Sequence, residues 1–258
     1  MLQDKVILVT GANQGIGFAI ANLCQQNGAK VMLHGLDATQ LASAATRIGP
    51  TVAYVAADLL DTGSPQKIIA TVIDKFGRID GLVNNAAMLN RSNIDSFDET
   101  LFDQMMAVNV RAPLKLIQLA VPHMKAQAAG SIVNIGSVNA PCGGENLLTY
   151  STTKAALMTA TRNLGFALAR DLIRVNQLNV GWTATESEHR IQVSEGQPDD
   201  WHDRIPDSFK PTGRLMSPEQ VAKHAAFWLS DQSAPVTGQV YEAEQYPFIG
   251  RSHVADWK

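Results

Sequence analysis

The sequence predicts an α/β fold, with helices on both faces of a doubly wound, seven-stranded parallel sheet. Seven short stretches are rich in Val and Ile and nearly apolar throughout, as expected for strands that are covered on both faces. Longer amphipathic stretches separate them, so that strand, helix and strand repeat at a spacing of about 25–30 residues. The predicted strands are 5–10, 30–35, 52–58, 79–85, 131–137, 173–179 and 238–243.

The predicted helices follow from apolar residues at helical spacing and from the residues at the helix ends. Residues 16–27 repeat apolar side chains on one face, and Gly28 then ends the helix. Pro113 falls inside a longer helical stretch and predicts that this stretch is two helices, because proline breaks the hydrogen bonding of a helix interior. The helical stretches are 16–27, 65–76, 97–128, 150–169 and 218–229, with a further helix from Ala38.

Composition excludes several classes of protein. The 21 basic and 24 acidic residues give a net charge of −3, which argues against a nucleic-acid binder with a basic face. No apolar stretch approaches the roughly 20 residues that span a bilayer, and the first ten residues do not read as a signal peptide. The two cysteines, Cys24 and Cys142, make neither a disulfide framework nor a metal site. We therefore expect a soluble, cytoplasmic enzyme or binding protein.

The chain is predicted to form one domain over residues 1–258, because no linker or low-complexity stretch divides it. One stretch, 184–211, is more polar than the rest and contains three prolines. We interpret this stretch as an excursion or lid near the substrate site.

Three glycines follow the first predicted strand. Gly11 permits the tight turn, Gly15 lets the backbone approach a pyrophosphate, and Gly17 lets the following helix lie close to the sheet. The free N–H groups of that helix then face the anion. A simple strand-to-helix turn does not need three glycines in this spacing, so the segment predicts a dinucleotide site. The other residues assigned to this turn are Asn13, Gln14 and Ile16.

The end of the second strand bears on the choice between NAD and NADP. An acid there bonds the ribose hydroxyls of NAD, whereas a nearby Arg accommodates the 2′-phosphate of NADP. Positions 13, 14 and 36 carry no Arg or Lys, and Asp37 would oppose a phosphate if it pointed inward. This pattern favours NAD. The alternative for Asp37 is a cap of the helix that starts at Ala38, and both interpretations stay open.

Tyr150 and Lys154 lie four residues apart, so a helix brings a phenol and an ammonium onto one face. The ammonium and a positively charged nicotinamide ring both favour the phenolate, which predicts that the pKa of Tyr150 falls by about 2–3. Tyr150 would then act as an acid and base near neutral pH, while Lys154 bonds the cofactor ribose.

Two further residues join this pair. Ser137 ends the fifth strand, where its hydroxyl would hold a substrate oxygen beside Tyr150. Asn109 would anchor a water behind Lys154. The alternatives are a strand-end cap for Ser137 and a buried amide that satisfies the backbone for Asn109.

Together these segments resemble the short-chain dehydrogenase/reductase family, over essentially the whole chain. The resemblance lies in TGANQGIG at 10–17, NNAA at 84–87, YSTTK at 150–154 and NVGWTAT at 179–185, in that order. It implies a single-domain Rossmann fold and hydride transfer between nicotinamide and a secondary alcohol or carbonyl. It also implies a homotetramer. The implied catalytic tetrad is Asn109, Ser137, Tyr150 and Lys154.

The resemblance also implies contacts to the cofactor. Asp58 and Leu59 would meet the adenine, and the loop after the sixth strand would meet the carboxamide and phosphate. The remaining implied contacts are Asn85, Ala86, Ala87, Tyr150, Lys154, Gly181, Thr183 and Thr185. The sequence departs from the family at Ala87, Val180 and 242–245, positions outside the proton-transfer set.

The substrate is predicted to be a sugar, polyol or sugar acid. Residues between Ser137 and Tyr150 are small and polar, and an arginine in the excursion would suit an anionic group. The assigned contacts are Ser137, Asn139, Tyr150, Trp182 and Arg190. The alternative functions are a 3-oxoacyl thioester reductase and a non-catalytic dinucleotide-binding protein. For the stretch 184–211, the alternative is that its polar residues form an exposed lid and do not contact the substrate.

Overall fold

The computed structural model describes residues 1–246, and its strands lie within two residues of the predicted positions. All seven are parallel and stand in the order β3-β2-β1-β4-β5-β6-β7 once numbered along the chain. The sheet confirms the predicted doubly wound α/β fold. Residues 247–258 of the predicted domain lie outside the described residues. The strands are β1 (Val6–Thr10), β2 (Lys30–Gly35), β3 (Val52–Ala56), β4 (Gly81–Asn84), β5 (Gly130–Ser137), β6 (Ile173–Val180) and β7 (Val240–Ala243).

Helices cover both faces of the sheet. One apolar core packs α1, α2 and α9 against one face, and a second core packs α3 and α5 against the other. Within residues 1–246, no helix is both long enough and apolar enough to cross a bilayer. The helices are α1 (Gly15–Gln26), α2 (Ala38–Ile48), α3 (Ser64–Phe76), α4 (Glu99–Met106), α5 (Ala112–Ala126), α6 (Leu148–Leu168), α7 (Glu186–Ser194), α8 (Trp201–Arg204) and α9 (Pro218–Leu229).

The predicted break near Pro113 takes a different form in the structure. Between α4 and α5 the chain forms a π-helical segment, Ala107–Arg111, and the helix continues without a loop. Pro113 lies in the first turn of α5, where a missing N–H costs little. Short π-helical segments often mark functional sites, and this one contains Asn109.

Helix α6 packs on β5 and β6, and this packing positions the predicted catalytic pair, Tyr150 and Lys154. Tyr150 and Lys154 lie in the first two turns of this helix, and Thr161 and Gly165 lie further along. Thr161 Oγ1 accepts a hydrogen bond from Asn134 Nδ2 of β5 at 2.9 Å. Gly165 packs directly against the backbone that precedes β7, because it has no Cβ. These two contacts fix how far α6 lies above the sheet.

We expect Gly165→Ala to destabilise the protein by about 1–3 kcal/mol, because the added Cβ would overlap the backbone of Gly238. Helix propensity alone favours alanine, so a loss of stability isolates the packing effect. The matched control is Asn163→Ala, at an exposed position of the same helix. The measurement is urea denaturation. If the two variants were equally stable, the absence of a Cβ at Gly165 would not be required for α6 to pack against Gly238.

Candidate active site

A cleft of about 980 Å³ lies along the carboxyl ends of the strands, where β1 and β4 lead to helices on opposite faces. It extends from His34 on β2 to Tyr150 on α6, the place where ligands bind in doubly wound sheets. Three predicted site residues, Gly17, Asn109 and Arg190, do not line it. The predicted residues that do are Gly11, Asn13, Gln14, Gly15, Ile16, Asp37, Asp58, Leu59, Asn85, Ala86, Ala87, Ser137, Asn139, Tyr150, Lys154, Gly181, Trp182, Thr183 and Thr185.

The glycine-rich turn forms a cradle in which Gly11 and Gly15 leave two positions without a side chain. Gly11 and Gly15 have φ angles of 62° and 56°, in the left-handed region that favours glycine. A Cβ on Gly11 would lie 2.9 Å from Ala86 Cα. Gln14 precedes α1 without a side-chain cap, so the first N–H groups of the helix face the cleft uncapped. This cradle fits the pyrophosphate of a dinucleotide.

Thr10 and Asn85 join the ends of β1 and β4 beneath this turn. Thr10 Oγ1 accepts hydrogen bonds from the N–H groups of Asn85 (2.9 Å) and Ala86 (3.0 Å). Asn85 Nδ2 donates to the Gly11 carbonyl at 3.1 Å. A Cβ on Gly17 would collide with that same carbonyl, which explains why Gly17 packs α1 onto the sheet and does not line the cleft.

Asp37 caps α2. Its Oδ1 accepts hydrogen bonds from the N–H groups of Thr39 (2.7 Å) and Gln40 (3.0 Å). The helix-cap interpretation therefore holds, and the carboxylate also lines the cleft beside Leu36. The cap fixes this negative charge at the end of β2.

His34 is a buried residue of the same end of the cleft that the sequence did not single out. Its Nε2 lies 3.0 Å from the Ala57 carbonyl, and burial lowers the pKa of its ring to about 4. His34 is therefore neutral at physiological pH and adds no positive charge that would favour a 2′-phosphate.

Tyr150, Ser137 and Lys154 converge at the other end of the cleft. A side-chain hydrogen bond joins Ser137 and Tyr150 and favours the phenolate. Lys154 Nζ lies 5.6 Å from the centroid of the Tyr150 ring and donates to the Ile135 carbonyl at 2.7 Å. Ser137 Oγ also accepts from the Asn139 N–H at 3.2 Å, so Ser137 is both a strand-end cap and a cleft residue.

Burial opposes the charged forms of the pair. It raises the pKa of Tyr150 to about 12, although the hydrogen bond from Ser137 favours the phenolate. Burial also lowers the pKa of Lys154 to about 8. The predicted fall in the pKa of Tyr150 is therefore not found for the chain alone, because desolvation outweighs the opposing effects of Ser137 and of the Arg91 charge.

Asn109 lies behind the cleft, and both polar atoms of its side chain form hydrogen bonds. Its Oδ1 accepts from the Met88 N–H at 2.8 Å, and its Nδ2 donates to the Met88 carbonyl at 3.0 Å and to Thr153 Oγ1 at 3.1 Å. The structure thus shows the buried-amide alternative. Asn109 joins the loop after β4 to α6.

Arg190 does not reach the substrate end. Residues three and four apart share a helix face, and the face of α7 with Glu188, Ile191 and Gln192 lines the cleft. Arg190 lies on another face, where its Nη2 donates to Gln14 Oε1 at 3.0 Å. It contacts the glycine-rich turn instead of a substrate.

The sequence missed two charged residues of the substrate end. Arg91 follows β4 by a few residues, and its Nη2 lies 3.5 Å from Glu188 Oε1. Glu188 also accepts from Trp182 Nε1 at 3.0 Å, while Trp182 stacks on Trp201 with ring centroids 5.5 Å apart. Glu188 could have been predicted from the helical spacing of α7, which places it on one face with Ile191 and Gln192, whereas no local pattern indicated Arg91.

In residues 1–246, no group of three or more His, Cys, Asp or Glu side chains is arranged to hold a metal.

Comparison with known proteins agrees with this geometry. A family model described as "Enoyl-(Acyl carrier protein) reductase" matches residues 11–244. The chain belongs to the short-chain dehydrogenase/reductase family. One curated relative, the short chain dehydrogenase adrF of Penicillium rubens, is 30% identical over 93% of this chain and 95% of its own length.

Other relatives in the family differ in their named activities. Galactitol 2-dehydrogenase of Agrobacterium fabrum is 31% identical over 94% of this chain and 97% of its own length. The crystal structure of 3-ketoacyl-(acyl-carrier-protein) reductase from Brucella melitensis, complexed with NADH, superposes with a TM-score of 0.86 at 30% identity. That match covers 96% of this chain and all of the other. The family is an oxidoreductase family that binds a nicotinamide dinucleotide.

The buried ammonium of Lys154 makes stability depend on pH. Its folded pKa of about 8 lies below its ordinary value of 10.5, so between these values the unfolded chain binds more protons than the folded protein. The free energy of unfolding should therefore rise with pH in this interval, by about 2–3 kcal/mol relative to Lys154→Met. This difference is measured by urea denaturation of the wild type and of Lys154→Met at about pH 7.5 and 10. If the free energies of unfolding of the two proteins changed with pH in the same way, Lys154 would not be a buried charge in the folded protein.

Proposed function

We propose that the protein is an NAD-dependent oxidoreductase that transfers hydride between nicotinamide and a secondary alcohol or carbonyl. The observation that carries the proposal is the convergence of Ser137, Tyr150 and Lys154 in the cleft that also contains the glycine-rich cradle. A non-catalytic dinucleotide-binding protein would not need this convergence.

Each residue of the site takes one role. Tyr150 Oη gives the proton to the substrate oxygen in reduction and takes it in oxidation. Ser137 Oγ, hydrogen-bonded to Tyr150, holds that oxygen in place. Lys154, anchored on the Ile135 carbonyl, places a positive charge beside the phenol. Asn109 positions the loop after β4 against α6, so it acts through other residues.

The cofactor completes the electrostatics of the site. The residues that fit it are the glycine-rich turn, Asp58 and Leu59 at the adenosine end, and Lys154 at the nicotinamide ribose. When bound, the oxidised nicotinamide would supply the hydride acceptor for the substrate carbon, and its positive charge would favour the Tyr150 phenolate. The protein contributes a partly buried phenol and the neighbouring amine.

We propose NAD as the cofactor in preference to NADP. Among the described residues that line the cleft, the Lys and Arg side chains are Lys154 and Arg91, both at the end with Tyr150. The adenosine end instead presents Asp37, fixed by its helix cap, and the exposed Leu36. A 2′-phosphate would meet a carboxylate there without a cation to balance it.

We propose a sugar, polyol or sugar acid as substrate. The support is the polar substrate end, where Asn139, Glu188 and Gln192 line the cleft near Tyr150, and the relative that acts on galactitol. The second candidate is reduction of a 3-oxoacyl thioester, which the name of the NADH complex favours.

We also propose that residues 1–258 form one domain, and that the protein is a cytoplasmic homotetramer. The support for assembly is the membership of the short-chain dehydrogenase/reductase family, which implies a homotetramer.

The proposal is tested with Tyr150→Phe in an assay that follows the absorbance of reduced nicotinamide. The substrates are polyols, sugars and an acetoacetyl thioester, each with NAD and NADP. We expect kcat to fall at least about 100-fold because the proton donor is lost, while NADH binds as before. Tyr241→Phe, at an exposed tyrosine of β7, is the matched control and should change nothing. Retained turnover in Tyr150→Phe would remove Tyr150 from its role.

A further inference from the structure

Glu188 is a carboxylate built into the substrate end of the cleft. Its side chain is 18% exposed. Besides Trp182 Nε1, Gln192 Nε2 donates to its Oε1 at 2.8 Å, and Arg91 Nη2 lies 3.5 Å from the same oxygen. In the part of the chain that the structure describes, these contacts all go to Oε1. They fix the carboxylate and leave Oε2 for a ligand in the cleft.

The local sequence would place this side chain elsewhere. Thr185 and Glu188 have the spacing of a capping box, in which the glutamate folds back onto the N–H of the cap residue. Thr185 Oγ1 does accept from the Glu188 N–H, at 3.0 Å. The Glu188 carboxylate instead accepts a hydrogen bond from Trp182, in the loop after β6. The helix thus loses one capping contact, and the cleft gains a fixed acceptor.

The carboxylate lies in the same cleft as the reacting position. Glu188 and Arg91 line this cleft together with Tyr150. Burial is the main cause of the raised pKa of Tyr150, and the charge of Glu188 adds to it while that of Arg91 opposes it. A group held between Tyr150 and α7 therefore meets Glu188 as well as Tyr150.

We propose that Glu188 is a specificity-determining residue, which accepts a hydrogen bond from a hydroxyl on the carbon next to the reacting one. The inference rests on the proposed oxidoreductase function and names its substrate class, the vicinal diols and the corresponding α-hydroxy ketones. Arg91 and Gln192 hold the carboxylate in position. A substrate without the second hydroxyl leaves a partly buried carboxylate oxygen without its partner, so it is turned over less efficiently.

The experiment compares trans-1,2-cyclohexanediol with cyclohexanol, and 2,3-butanediol with 2-butanol, as substrates with NAD. We expect the wild type to prefer each diol. Glu188→Ala should lower kcat/KM for the diols about 10- to 100-fold, the range of a hydrogen bond to a charged group, and change the mono-alcohols less than about 3-fold. Glu188→Gln keeps an acceptor oxygen and should restore part of the preference.

The matched control is Glu195→Ala. Glu195 lies just beyond α7 and also pairs with Arg91, which donates to it at 3.0 Å, but it does not line the cleft. Its loss should leave the preference for diols unchanged. The inference is overturned if Glu188→Ala lowers both substrates of a pair alike, or if Glu195→Ala has the same effect. It is also overturned if a 2-hydroxy carboxylate is preferred to the diols and Arg91→Gln abolishes that preference.

The outcome separates this inference from the proposed function. NADH binding, followed by fluorescence, should be the same in all variants, because none of the substituted residues lies at the glycine-rich turn. If the wild type turns over alcohols without preferring diols, the inference fails and the oxidoreductase function stands. If it turns over none of these alcohols, none of the sugars and polyols and no acetoacetyl thioester, the proposed function fails and the inference with it.

Discussion

An ammonium group buried against a strand carbonyl is the interaction on which the site depends. Lys154 Nζ reaches the Ile135 carbonyl at 2.7 Å, and its side chain has almost no contact with solvent. This single bond ties α6 to β5 at the point where Tyr150 faces the cleft. Burial of a charge lowers the free energy of unfolding. The protein nevertheless buries Lys154, at the position where the site needs a positive charge beside Tyr150. The close seating of α6 at Gly165 keeps the helix near enough for the bond to form.

The same burial couples the acid–base chemistry to the cofactor. In the chain alone, burial raises the pKa of Tyr150 to about 12 and lowers that of Lys154 to about 8. The amine therefore loses its proton before the phenol does, and little phenolate is present near neutral pH to act as a base. A positive charge beside the phenol would lower the pKa of Tyr150, because opposite charges stabilise the phenolate most where water is excluded. The site is thus expected to become a proton-transfer site only when the dinucleotide is bound.

The sequence predicted the fold and most of the cofactor cleft because both depend on short local patterns. Apolar strands, the glycines at 11, 15 and 17, and the Tyr150–Lys154 spacing each follow from the steric or helical requirements of a few neighbouring residues. The π-helical segment was not predicted, because it depends on how α4 and α5 pack and not on one proline. Asp37 was ambiguous because the same carboxylate satisfies a helix cap and lines the cleft.

The substrate end could not be predicted to the same degree, because its residues are brought together by tertiary contacts. Arg91 and Glu188 are far apart in the chain and meet only when the excursion folds over the cleft. The charge of Arg190 predicts a substrate contact, yet the orientation of α7 places Arg190 against Gln14 and Glu188 towards the cleft. Which face of a short polar helix lies inward is set by stacking partners such as Trp182 and Trp201, which no local pattern specifies.

The site is tested most directly by the titration of Tyr150 with and without NAD, read as the phenolate absorbance of the wild type minus that of Tyr150→Phe. Without NAD, no phenolate should form from Tyr150 below about pH 10, because burial raises its pKa to about 12. With NAD bound, the phenolate should form at a pH lower by about 2 or more. The same titration curve in both states would contradict the claim that the bound cofactor and the buried amine together set the acidity of this phenol.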